Sequence, residues 1–140
     1  MADRLLTPHF SLMEMQRSGT AIEQGIDNTI PPEAQRRLTL LCRHVLEPLR
    51  QRFERIIITS GYRCKELNKA VGGVDNSQHT TGEAADIHVS DQEQALRFLN
   101  FLTEHTDFDQ IILEPRHRLR KRWIHVSYTQ ERKNRRMVLE

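Results

Sequence analysis

The chain has 140 residues, a length that fits one domain and excludes two catalytic domains. Its composition, 37% hydrophobic and 29% charged residues, is that of a folded protein and excludes a disordered chain. No apolar run of about 20 residues is present, so no membrane partner is expected. We therefore predict a single domain over residues 1–140.

The formal charge of +2 is unevenly distributed along the chain. Residues 115–140 hold 9 Lys and Arg against 2 Asp and Glu, whereas residues 1–114 hold 12 against 17. This basic hairpin and tail is either a solvated surface or a site that attracts a polyanion, such as nucleic acid or an anionic wall polymer. Nucleic acid is disfavoured, because only Trp123 and Tyr128 lie among these charges and no nucleic-acid-binding motif accompanies them.

The N-terminal residues 1–8 lack the apolar segment and the small-residue cleavage site of a secretory signal. We therefore expect the protein to be cytoplasmic until it is released. Cys42 and Cys64 do not form a metal-type pair, and two cysteines in a chain this long make no disulfide framework. Both are predicted to be reduced.

The first half of the chain is predicted to be mainly helical. Residues 11–18 are expected to form a short helix. A longer helix is predicted from Pro31 to about Phe53, because apolar residues recur there at helical spacing. Pro48 is expected to kink it.

The second half combines strands with one further helix. The β-branched run 56–59 indicates a buried strand. Ser90 and Glu93 are expected to form a capping box that begins the next helix. Two more strands are predicted at about 108–113 and 123–128, joined as a hairpin. The predicted order of elements along the chain, helices first and then strands mixed with a helix, indicates the α+β class.

Side chains alternate between the core and a polar face along two strands, the one that contains Asp86 and the last one, which contains His125. Asp86 should face away from the core, as should His125 on the last strand, and His79 lies seven residues before Asp86 in a polar loop. Two imidazoles and one carboxylate suit an open zinc site, which would lower the pKa of bound water and polarise a carbonyl. The spacing alone is a weak indication, because seven histidines produce such pairs by chance.

Four motifs follow one another along the chain. They are Ser60-Gly61-Tyr62-Arg63, Asn68 with Val71-Gly72-Gly73, Ser77-x-His79-x-x-Gly82-x-Ala84-x-Asp86, and Trp123-Ile124-His125-Val126-Ser127. With these motifs the sequence resembles the zinc D-Ala-D-Ala carboxypeptidases and L-Ala-D-Glu endopeptidases, peptidoglycan metallopeptidases that share the hedgehog-type fold. The resemblance covers about residues 5–140. It implies a small antiparallel sheet packed with helices, one zinc ion per chain, and His79, Asp86 and His125 as the zinc ligands.

Two further residues of these motifs are candidate substrate contacts. Arg63 is expected to hold a substrate carboxylate through paired charge-assisted bonds, as the resemblance implies, and the alternative is that it braces its own turn. Ser77 either hydrogen-bonds the substrate or caps the loop that carries His79. Trp123 forms a wall of the groove or packs in the core.

The catalytic base is where the sequence departs from part of the family. Many of the carboxypeptidases carry a Glu three residues before the last His ligand, and that position here is Arg122. Glu114 matches instead the Glu that ends the preceding strand in hedgehog-type members, and we predict that it is the base. The alternatives for Glu114 are a partner that orients a histidine ligand or an ion pair with the basic hairpin.

The resemblance therefore implies a zinc peptidase that cleaves an amide bond next to a D-amino acid in peptidoglycan stem peptides. Small size and the expected localisation would suit a phage or prophage lysin. One alternative is a catalytically silent zinc-containing module that binds wall peptide or a protein partner. The other is a basic nucleic-acid binder, which would show a steep salt dependence of affinity.

Overall fold

A computed structural model describes residues 3–140 and defines six helices, two irregular helical turns and seven strands in this part of the chain. The α-helices are α1 (Leu12–Gln16), α2 (Gly19–Gln24), α3 (Pro32–Leu41), α4 (Glu47–Phe53), α5 (Lys65–Ala70) and α6 (Gln92–His105). The strands are β1 (Leu5–Thr7), β2 (Phe10–Ser11), β3 (Ile58–Ser60), β4 (Ala84–His88), β5 (Gln110–Glu114), β6 (Trp123–Ser127) and β7 (Met137–Leu139). A π-helical turn spans Cys42–Leu46 and a 3-10 helix spans Gln78–Thr81.

A five-stranded sheet in the order β3-β4-β6-β5-β7 lies at the centre of the fold. Its pairs are antiparallel except β5 with β7, which run parallel. β1 and β2 form a separate antiparallel pair. The predicted α+β class with a small antiparallel sheet and helices is confirmed, and β7 is an edge strand that the sequence analysis did not predict.

The long helical stretch that was predicted from Pro31 to Phe53 is present but interrupted. Pro31 is the N-cap of α3, and the π turn separates α3 from α4. In this turn the N–H of Glu47 bonds to the carbonyl of Cys42, five residues back. A proline in a regular helix clashes with the carbonyl four residues before it, and the wider turn just ahead of Pro48 gives that carbonyl room.

Several boundaries and short elements differ from the prediction. β3 begins at Ile58 rather than 56, because residues 56–57 continue the loop after α4. The N-cap of α6 is Asp91 rather than Ser90: its carboxylate accepts from Gln94 N at 2.8 Å, while Ser90 N donates to Gln94 Oε1. Helices α2 and α5 and the β1–β2 pair were not predicted.

The core lies between the helices and one face of the sheet. Ile87 on β4 and Ile124 on β6 are fully buried there, together with Leu38 of α3 and Leu102 of α6. Alternation therefore turns the opposite face of β4 and β6 away from this core, as the sequence pattern predicted. Within residues 3–140, no helix combines the length and the apolarity needed to cross a membrane.

Candidate active site

The register of the two central strands brings the predicted metal ligands together. Asp86 on β4 lies opposite His125 on β6, and His79 reaches both from the 3-10 helix. Asp86 Oδ1 lies 3.2 Å from His79 Nε2 and 3.1 Å from His125 Nδ1, and these two nitrogens are 3.2 Å apart. The structure thus gathers all three side chains into one cluster.

The backbone around β3 fixes the orientation of the His79 ring. His79 Nδ1 lies 2.6 Å from the carbonyl oxygen of Gly61, which can only accept, so Nδ1 of the neutral ring carries the hydrogen. The lone pair of Nε2 in this tautomer is then available to a metal ion. Gly61 has no room for a side chain, because a Cβ there would lie 2.6 Å from the carbonyl oxygen of Met15.

The Asp86 carboxyl is held in its ionised form. Burial raises its pKa, but the neighbouring His125 and His79 side chains lower it by more, so that the pKa lies well below its usual range. Arg63 Nη2 lies 3.8 Å from Asp86 Oδ2 and adds a positive charge on the other side. The carboxylate is therefore in the protonation state that binds a metal.

The donor set and its spacing fit a zinc ion. Four tetrahedral ligands at about 2.0–2.1 Å from zinc stand about 3.3 Å from one another, close to the 3.1–3.2 Å separations in this cluster. Neither cysteine takes part: Cys42 is buried in the core, where burial raises the pKa of its thiol, and Cys64 caps α5. Both are free cysteines.

Arg63 lies beside the cluster and is held by Asn68 of α5. Its Nη1 donates to Asn68 Oδ1 at 3.0 Å, and Asn68 Nδ2 donates in turn to Val74 O at 2.7 Å. Its Nε is buried and has no hydrogen-bond partner within residues 3–140. Burial lowers the pKa of this guanidinium and Asp86 opposes the shift. A charged guanidinium with unused donors is suited to an anionic ligand.

Ser77 caps the 3-10 helix that carries His79. Its Oγ accepts from His79 N at 3.2 Å, and Ser77 also lines the cleft beside the cluster. The capping role that the sequence analysis considered is present in the structure. Contact between Ser77 and a substrate stays a prediction.

Glu114 ends β5 on the same face as the cluster. It pairs with Trp123, while Ile112 pairs with His125, so Glu114 and His125 are diagonal neighbours across the two strands. Arg122 N donates to the Glu114 carbonyl at 2.8 Å, which closes the hairpin. The Glu114 carboxylate makes no hydrogen bond or ion pair with any side chain of residues 3–140. The ion pair with the basic hairpin, one of the alternatives for Glu114, is therefore not formed.

All of these side chains line one cleft with a volume of about 610 Å³. Trp123, about which the sequence left two alternatives, is half-buried and forms part of its wall. Among the lining residues that the sequence analysis missed are Gln78, Gln110, Ile112, Arg132 and Arg135. Counting back along β5 from Glu114 in steps of two would have found Ile112 and Gln110. The two arginines carry no such signal, because their position depends on a distant partner.

The remaining histidines lie outside the cluster. His9 Nδ1 lies 2.7 Å from Glu47 Oε1, and His44 stacks on Tyr128 with ring centroids 4.8 Å apart. His88 is exposed two residues beyond Asp86, and His117 is exposed in the hairpin.

Comparison with known proteins identifies the family. The family model for peptidase M15 matches residues 8–127, most of the chain. The chain belongs to the peptidase M15 family. This confirms the resemblance inferred from the four motifs, and the matched range contains every residue of the cluster as well as Arg63 and Glu114. A search of curated protein sequences returned no match.

Proposed function

We propose that this member of the peptidase M15 family is a zinc metallopeptidase that hydrolyses an amide bond next to a D-amino acid in peptidoglycan stem peptides. The observation that carries the proposal is the convergence of His79, Asp86 and His125 in the cleft that also holds Arg63 and Glu114. Three such donors leave a fourth position open, which is typical of catalytic rather than structural zinc.

Each side chain of the cleft has a defined task in this reaction. Zinc held by the cluster would supply Lewis acidity, which activates water and polarises the peptide carbonyl. The free Glu114 carboxylate accepts a proton from the attacking water and delivers it to the nitrogen of the leaving amine. Arg63 binds a substrate carboxylate and orients the peptide across the cleft.

The Arg63 task is supported by its surroundings. Its side chain is 14% exposed, so an ion pair formed there is shielded from water and is stronger than one at the surface. Asn68 neutralises none of its charge and only fixes its position. Asp86 is the carboxylate near it, at 3.8 Å, and that group faces the two histidines with its other oxygen.

Replacement of Glu114 by glutamine tests the proposal. Glu114→Gln keeps the shape of the side chain but cannot accept a proton, so we expect turnover of a stem peptide to fall about 10²–10⁴-fold. Zinc content and thermal stability should stay near those of the parent. Mass spectrometry of purified wall peptides before and after incubation measures the cleavage and identifies the bond.

Arg122→Ala is the matched control, since Arg122 occupies the position of the Glu in many of the carboxypeptidases yet lies at the surface. It should change turnover by much less. If Glu114→Gln keeps most of the activity, the base is another residue. A parent protein that cleaves no stem peptide while fully loaded with zinc would favour the silent binding module, and a binding titration with the same peptides would then replace the cleavage assay.

A further inference from the structure

The segment that follows β6 brings two arginines into the cleft. Arg132 and Arg135 both line it, although they lie beyond residues 8–127, which the family model matches. Both bind Asp109, the residue before β5: Arg132 Nη1 lies 2.7 Å from Oδ1, and Arg135 Nη2 lies 2.8 Å from Oδ2. We call Arg132 and Arg135 the tail arginine pair.

Asp109 holds this pair rigidly but neutralises only half of its charge. The Asp109 side chain is fully buried, and it also accepts hydrogen bonds from Arg135 N at 2.9 Å and from Gln78 Nε2 at 3.1 Å. In direct contact, one carboxylate thus faces two guanidiniums, so one of the two positive charges has no counter-charge within ion-pair distance. The two arginine side chains remain 46% and 43% exposed, and each guanidinium has more donors than Asp109 can use.

The tail arginine pair and Arg63 lie on different sides of the cluster of His79, Asp86 and His125. Arg63 follows β3, at one edge of the sheet, and Asp109 precedes β5, next to the other edge strand. β4 and β6, which carry Asp86 and His125, lie between them. A peptide that crosses the cluster would therefore meet a fixed positive group on each side of the bond that is cut.

We propose that the tail arginine pair is a second carboxylate subsite, which binds an acidic group of the substrate other than the one held by Arg63. This inference rests on the proposed function and makes it more specific: the substrate is a peptide with two carboxylates. A stem peptide meets this requirement, since it carries one carboxylate on its γ-linked D-Glu and one at its C-terminus. The planar fork of arginine suits such a group.

A binding titration tests the subsite without relying on cleavage. The probe is the peptide L-Ala-γ-D-Glu-L-Lys-D-Ala-D-Ala with its D-Glu carboxylate either free or amidated. It is added to the zinc-loaded Glu114→Gln protein, so that the peptide stays intact. Trp123 is the single tryptophan of the chain and lines the cleft, so its fluorescence reports binding.

We expect Arg132→Gln and Arg135→Gln each to weaken binding of the free acid roughly tenfold or more, as loss of a charge-assisted contact does. Neither substitution should change the affinity for the amidated peptide. The protein with an unsubstituted tail should bind the amidated peptide about as weakly as these two variants bind the free acid. Lys133→Gln is the matched control, because it removes the same charge from the same segment and Lys133 is exposed outside the cleft. It should leave both affinities nearly unchanged.

Equal binding of the free and the amidated peptide would overturn the subsite, and so would equal effects of Arg135→Gln and Lys133→Gln. If Arg135→Gln fails to fold, Arg132→Gln still tests the pair, and equal binding of the two peptides overturns the subsite without any tail variant. If the parent cleaves stem peptides but ignores amidation, the subsite alone is wrong. If the parent cleaves none, the proposed function is wrong, and the titration still determines whether the pair binds a carboxylate.

Discussion

Gly73 is packed against the side chains that hold Arg63. A Cβ at this position would lie 2.1 Å from Asn68 Oδ1 and 2.8 Å from Arg63 Nη1, both far inside van der Waals contact. Asn68 is buried and bonded to Val74 O, so it has little freedom to move aside. The missing side chain of Gly73 therefore allows the contact between Asn68 and Arg63.

Gly73→Ala should displace Arg63 without removing it. We expect KM for a stem peptide to rise roughly tenfold with a smaller change in kcat, because a displaced guanidinium loses a charge-assisted contact. Steady-state kinetics measure the split between the two constants. Gly19→Ala is the control, since nothing lies within 4 Å of a Cβ at Gly19. A Gly73→Ala protein with the kinetics of the parent would show that Asn68 does not position Arg63.

Residue-level chemistry was the part of the site that the sequence predicted best. His79, Asp86 and His125 could be placed together because the four motifs resemble those of a known family. Alternation along β4 and β6 is a local property and predicted only that Asp86 and His125 face away from the core. Arg132 could not be placed. Its site depends on Asp109, 23 residues earlier, and no local pattern records such a pairing.

At the scale of elements, the 3-10 helix and α3 are in direct backbone contact at Gly82. Gly82 ends the 3-10 helix with a positive φ of 82°, and a Cβ there would lie 2.4 Å from the carbonyl oxygen of Ala34 on α3. Two constraints therefore act on this residue, one conformational and one steric. Gly25 shares only the first: its φ is 67° and nothing lies within 4 Å of its Cβ position.

The two glycines form a matched pair for measuring this contact. Gly25→Ala should reduce the free energy of unfolding by about 1 kcal/mol, the cost of a positive φ for a residue with a side chain. Gly82→Ala should cost about 2–4 kcal/mol, because α3 must also move away. Urea denaturation of both variants gives the difference. Similar losses for the two would mean that the contact with α3 is easily relieved.

Asp109 connects a second set of elements, namely β5, the 3-10 helix and the tail. Burial raises the pKa of its carboxyl, but the hydrogen bonds from Arg132 and Arg135 lower it by more, so it lies well below the usual range. Folding lowers the pKa of this carboxyl, so the carboxylate stabilises the folded state at every pH above its unfolded-state pKa, which is near 4. This stabilisation is progressively lost as the pH falls below that value.

Asp109→Asn should therefore reduce the free energy of unfolding by about 2 kcal/mol or more at pH 7, because two guanidiniums lose their counter-charge. The difference between parent and variant should shrink as the pH falls below about 4, because Asp109 then binds a proton in the unfolded parent chain but still resists protonation in the folded one. Denaturant titrations at pH 7, 5 and 3 measure it. A difference that is constant over this range would mean that the charge of Asp109 is not what holds the tail.

The elements that the sequence missed are short ones whose pairing is set by the tertiary fold. β7 has three residues and pairs with β5 alone, and its place in the sheet follows from the anchoring of the tail at Asp109 rather than from its own residues. α5 is six residues long and starts from a Cys cap, which is a weak signal. The long α6, by contrast, was predicted, and its N-cap was placed one residue too early, at Ser90 rather than Asp91.

At the scale of the whole molecule, the cluster of predicted zinc ligands joins distant parts of the chain. His79 and His125 are 46 residues apart in sequence, and Asp86 lies on a third element. All three side chains are largely buried. Binding energy at such a site adds to the free energy of unfolding, because the unfolded chain cannot gather the ligands.

Protein purified without chelator should carry about one zinc per chain, and its removal should lower Tm by roughly 10 °C, corresponding to a few kcal/mol in a chain of this size. Metal analysis and thermal unfolding with and without chelator measure both. His79→Ala should lose the zinc and its chelator response. His88→Ala, a histidine on the same strand as Asp86 but outside the cluster, should keep both. A His79→Ala protein that retains stoichiometric zinc would exclude the cluster as the metal site.

The π turn at Cys42–Leu46 has a consequence for insertions and deletions. It accommodates one residue more than a regular helical turn does, so it keeps Phe53 beside Phe98 and Phe101. In a regular helix of the same length Phe53 would be rotated by about 100°. Deleting one residue here, with Pro48 replaced, yields a continuous helix with both ends in phase, whereas the same deletion within α3 rotates everything after it. Homologues one residue shorter at this point are therefore compatible with the same core.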